Sequence, residues 1–169
     1  MSGNSESKER AAEKMQRAVD LLDEYERGIG LPAHVPPGSD DELNEYFTWD
    51  RDVIEAISVE QCGAVAYRLA QFSFYIQRES NREIAREKWA STQLEDAVSS
   101  ELDSYDKYMK YDVKVSLICK ENTYAQVLRA IQKKAEQRIS RLVYLASSIK
   151  NLSDTLIAIQ RGKMSKRYE

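Results

Sequence analysis

Between positions 128 and 159 an apolar residue recurs at alternating steps of three and four. The run is Leu128, Ile131, Ala135, Leu142, Leu145, Ile149, Leu152, Leu156 and Ile159, and only Arg138 breaks the rule. A 3.5-residue period held for more than four heptads implies a helix packed along a coiled-coil seam rather than an ordinary globular helix. Turn residues are correspondingly scarce. The 169 residues include six glycines and three prolines, and the prolines all fall between positions 32 and 37. A sheet needs turn residues throughout, so an all-α chain built from a few long helices is expected.

The remaining helices follow from caps and periodicity. Residues 7–27 place Met15, Ala18, Val19, Leu22 and Tyr25 on one face, with Gly28 positioned to end the helix. A proline loop runs to Gly38, and Ser39 then offers an N-cap to a short acidic helix through Phe47. Another short piece covers residues 52–57. Ser58 with Gln61 reads as a capping box opening a long helix over residues 59–103, whose first half carries Val65, Leu69, Phe72 and Ile76 as a seam. Residues 113–117 alternate Val, Lys, Val, Ser, Leu and read as a short strand. The two long arms should form an antiparallel hairpin turning near residues 105–108, among Tyr105, Tyr108 and Tyr111. That register sets Arg138 opposite residues 71–75, where there is no carboxylate, Cys62 near residue 151 and Cys119 near residue 94.

Three segments are expected. Residues 1–57 form an acidic helical extension with a proline-rich loop at 28–39, residues 58–163 the hairpin, and residues 164–169 a basic tail. A lone hairpin leaves apolar residues such as Val143, Tyr144 and Ile157 uncovered. Homo-oligomerisation through the seam (Leu128, Ile131, Leu142, Leu145, Ile149, Leu152, Leu156, Ile159) would cover them, as would the N-terminal helix completing a three- or four-helix bundle.

Catalytic chemistry finds little foothold. His34 is the single histidine, set between prolines and read as a surface residue. Gly28-Ile-Gly30 lacks the third glycine and the preceding strand of a dinucleotide loop. Cys62 and Cys119 have neither metal-ligand spacing nor a partner for nucleophilic work, and they are expected to stay reduced and apart. The expectation is a protein that is no enzyme, with no catalytic residue, metal or cofactor. No apolar run suggests a leader or membrane span, which points to a cytoplasmic protein.

Charge is distributed unevenly. Residues 1–60 carry six Lys/Arg against fifteen Asp/Glu, whereas residues 105–169 carry fourteen against six. Arg78, Arg82 and Arg86 lie one turn apart, followed by Lys88 and Trp89. A basic stripe ending in an aromatic suits single-stranded nucleic acid, but Glu79, Glu83 and Glu87 run beside it and make intrahelical ion pairs the competing reading. On the last helix Arg129, Lys133, Lys134, Arg138 and Arg141 face only Glu136. Anion binding and plain solvation both account for them. The tyrosines at the turn either stack on bases or plug the end of the hairpin.

The stretch from Ala66 to Trp89 resembles the first arm of UvsY-type recombination mediators of tailed phages, and the stretch from Glu121 through Lys163 is similar to that family's C-terminal helix. The likeness covers roughly residues 60–163 and is one of helical pattern. It implies a non-enzymatic mediator, working in the cytoplasm of a bacterial host, that oligomerises through the C-terminal helix and binds single-stranded DNA. Its implied partners are a RecA-like phage recombinase, which it helps load, and a single-strand-binding protein. By position Arg82, Arg86 and Lys88 would take the family's basic role. The rival expectation is a coiled-coil structural or adaptor protein of a phage with no nucleic-acid role.

Overall fold

A computed structural model describes residues 2–165, and all their regular structure is helical. Seven α-helices follow in order: α1 (Ser2–Gly28), α2 (Asp40–Thr48), α3 (Arg51–Ala56), α4 (Val59–Ser99), α5 (Tyr111–Glu121), α6 (Thr123–Leu142) and α7 (Leu145–Ser165). A single 3₁₀ turn at Leu102–Ser104 lies between α4 and α5. The fold class is therefore all-α. Lys166 and Arg167 of the expected basic tail lie outside the described residues.

The caps form as the sequence requires. Ser39 Oγ accepts from the Glu42 amide at 3.2 Å, and Ser58 and Gln61 exchange the two bonds of a capping box at 2.8 and 3.1 Å. Residues 113–117 are not a strand. They belong to α5, because helix brings Val115, Ile118 and Cys119 to one face, where they pack with Val98, Leu94 and Ala125. Burial at i, i+3 and i+4 outweighs the β-preference of the valines.

The second arm is also not one helix. Asn122 stops α5 by donating its amide to Ile118 O at 2.8 Å, and its side-chain oxygen caps α6 at the Ala125 amide, 3.0 Å away. Val143 and Tyr144 then form a turn between α6 and α7. The chain divides into two compact units, Met1–Ala33 with Asn81–Ile139 and His34–Ser80 with Ser140–Glu169.

In the second of these units α7 runs antiparallel to the first half of α4 around Val65, Leu69, Phe72, Ile149 and Leu156. Polar side chains cross between the two helices at intervals of seven residues. Ser73 Oγ donates to Ala146 O at 2.8 Å, Ser153 Oγ to Ala66 O at 2.7 Å, and Gln160 Nε2 to Val59 O at 3.1 Å. The buried row of α7 is Ala146, Ile149, Ser153 and Leu156. Leu145 and Leu152, expected inside the seam, are instead 36% and 37% exposed. The two-residue break before α7 resets the helical phase, so every second seam position moves on by one residue. A serine or alanine there lets the backbones approach closely enough for side chain to reach carbonyl.

The same unit holds α2 and α3 against α4 and α7. Arg68 Nε meets Glu42 at 2.9 Å, and Lys163 Nζ caps the end of α3 through the carbonyls of Ile54, Glu55 and Ile57. The Tyr46 hydroxyl and, after it, the Arg68 guanidinium hold the Glu42 carboxyl below its usual range. His34 is no surface residue. Its ring stacks on Tyr75 with centroids 4.5 Å apart, and Nε2 lies 2.5 Å from Glu79 Oε1, fastening the proline loop to α4.

Candidate functional site

The nine residues read as a nucleic-acid surface fall into two classes once their partners are known. Arg82, Arg86 and Arg138 are engaged internally. Arg82 meets Asp23 of α1 at 3.1 Å. Arg86 and Arg138 share the carboxylate of Glu83, which is only 2% exposed; Arg138 Nη1 lies 3.0 Å from it. The expectation that Arg138 faces no carboxylate is overturned. It was placed by a tight turn near residue 106, but α4 and α5 are separated by an eleven-residue connection and α5 is a separate helix. The resulting register sets α6 against a later stretch of α4, with Gln132 bonded to Glu87 at 3.3 Å.

Arg129, Lys133, Lys134 and Arg141 make no ion pair among the described residues, and neither does Lys88. Lys88, Lys133, Lys134 and Arg141 are exposed, whereas Arg129 and Trp89 are half-buried. Lys133 and Lys134 border different hollows. Lys134 joins Arg86 and Arg138 around a cavity of about 230 Å³ bordered by Met15 and Gln16 of α1. Lys133 and Arg129 line a groove of about 330 Å³ with Lys120, Ser116, Cys119, Gln126 and Ala130.

Glu83 pairs with Arg86 within α4, as the competing intrahelical reading has it, whereas its second partner Arg138 and the pairing of Asp23 with Arg82 depend on how the helices pack. Lys120 reaches the groove because the chain bends at Asn122, and the only sequence signal for that is an asparagine able to cap. The turn tyrosines differ in burial. Tyr105 packs inside with Leu102 and Val98, whereas Tyr108 and Tyr111 are exposed. The Tyr105 hydroxyl donates to Glu121 at 2.6 Å, and the adjacent carboxylate pushes the phenol up to about 12, so it remains a proton donor.

Cys62 and Cys119 are buried and unbridged. Among the described residues no group of three acidic, cysteine or histidine side chains is arranged to hold a metal, and no helix is long and apolar enough to cross a membrane. No protein-family model, curated protein or solved structure matches the chain.

Proposed function

We propose that this chain is a non-enzymatic recombination mediator that oligomerises, binds single-stranded DNA and helps load a RecA-like recombinase in the cytoplasm of a bacterial host. One observation carries the binding half of the reading. The basic residues of α6 divide, with Arg138 paired to a buried carboxylate and Arg129, Lys133, Lys134 and Arg141 making no ion pair among the described residues. Unpaired like charges along one helix cost stability, so folding alone does not account for them, whereas phosphates do. Exposed Tyr108 and Tyr111 add flat surfaces in the same compact unit, as base stacking requires.

The test is fluorescence anisotropy of a labelled single-stranded oligonucleotide titrated with salt. The logarithm of affinity should fall linearly with the logarithm of salt concentration, with a slope of about −0.7 per phosphate neutralised. Affinity that is absent at low salt, or indifferent to salt, rejects the reading.

A second reading, the coiled-coil adaptor without nucleic acid, is favoured by a different observation: Val143, Tyr144, Leu145 and Leu152 are all exposed apolar side chains. Self-association through them serves both readings. Replacing Leu145 and Leu152 together by Asp should leave far-UV helicity intact, because neither side chain is in the buried row of α7, while sedimentation shows the assembly reduced to monomer. A wild type already monomeric at micromolar concentration removes the oligomer from either reading.

A further inference from the structure

We propose that the groove between α5 and α6 is a phosphate-binding site that seats a backbone phosphodiester of a single strand on Lys120, Arg129 and Lys133. The inference rests on the DNA-binding reading above and adds to it a position and a residue, Lys120, outside the basic stripes read from the sequence.

The groove is walled by Ser116, Cys119 and Lys120 from α5 and by Gln126, Arg129, Ala130 and Lys133 from α6. Three cations and two neutral hydrogen-bonding side chains line it, and no carboxylate does. The chain as a whole has 28 acids to 25 bases, so a wall without acids is a local exception. Lys120 has a structural reason to sit in the last turn of α5, where a cation complements the helix dipole. Arg129 and Lys133 have none. They stand four residues apart on one face of α6, where like charges repel. Glu95 and Asp112 border a second hollow that Arg129 also lines, and neither makes an ion pair with it.

The hydrogen-bonding inventory points the same way. The Ser116 hydroxyl and the Gln126 amide have no partner among the described residues, and both can donate to phosphate oxygens beside the three cations. Cys119 supplies a buried apolar floor. At about 330 Å³ the groove has the size of a small-ligand site. That is room for a phosphate and its sugar, and the open groove lets a strand continue past it.

The experiment compares three full-length proteins for salt-dependent binding of a labelled oligothymidylate: the wild type, the triple variant Lys120→Gln, Arg129→Gln, Lys133→Gln, and a control with the same loss of charge, Arg10→Gln, Arg17→Gln, Arg161→Gln. The control arginines are exposed and make no ion pair among the described residues. Circular dichroism confirms equal helicity first. Loss of the one seated phosphate should flatten the groove variant's slope by about 0.7, so that between 0.05 and 0.2 M salt its affinity falls about 2.5-fold less than the wild type's. The control should keep the wild-type slope. Equal flattening in both variants makes binding a matter of net charge, which overturns the groove while leaving DNA binding in place. A wild type without salt-dependent binding rejects the underlying reading instead. Inorganic phosphate, added at constant ionic strength, separates the two sources of the anion. It should not displace the strand from the wild type at millimolar concentration, and displacement there would assign the groove to free phosphate and overturn the strand.

Discussion

Replacing Glu83 by Ala should destabilise the protein by about 3 kcal/mol in urea unfolding, a large part of the stability of an ordinary domain. Glu83 is buried and its single carboxylate is shared by Arg86 and Arg138. Removing it takes away the carboxylate the two guanidinium groups share, and Arg86 is itself mostly shielded from water. The cost falls at the lower end of the range for broken buried pairs because Arg138 is nearly half exposed and can turn outward. The triple variant Glu83→Met, Arg86→Met, Arg138→Met removes every charge together and should lie within about 1 kcal/mol of the wild type, since desolvation no longer opposes packing. A triple variant as unstable as the single one would mean that the cluster acts through shape rather than charge.

The second large effect concerns the phase of α7. Ser153→Leu should cost about 3 kcal/mol, from overpacking a position that is 2% exposed and from losing the bond to Ala66 O. Leu152→Ala, one residue away, should cost about 1 kcal/mol, because that side chain is only partly covered. The heptad pattern taken by itself predicts the reverse order, with the leucine inside and its truncation costing 2–5 kcal/mol, as is usual for a core leucine. Chemical denaturation of the two variants side by side decides the phase.

That contrast shows where the sequence is informative and where it is silent. Local chemistry is legible. Ser39 and the Ser58–Gln61 box cap helices as their residue types require, and Leu128, Ile149 and Leu156 are buried as their period implies. What escapes depends on small offsets accumulated along the chain. The turn at Val143–Tyr144 contains neither glycine nor proline, so nothing in the pattern marks the one-residue change of phase that moves Leu145 and Leu152 outward. The partner of Arg138 depends on the length of the connection after α4, which residue types do not encode. His34 looked solvent-facing because its neighbours are prolines, yet Tyr75 and Glu79, more than forty positions away, supply a stacking surface and an acceptor. The candidate groove has the same origin. Arg129 and Lys133 are visible as unmatched cations, but Lys120 joins them only through the bend at Asn122.

The crossing bonds of Ser73, Ser153 and Gln160 all end on backbone carbonyls, seven residues apart on both helices. A carbonyl is present whatever the residue, so the acceptor side of this ladder places no demand on sequence, and only the donors and the spacing are under selection. Over evolutionary time such a hairpin should change length in quanta. A relative that gains or loses one heptad in both arms together keeps every crossing bond and the apolar row between them, whereas an insertion of any other size, or in one arm alone, puts the donors out of step with their acceptors.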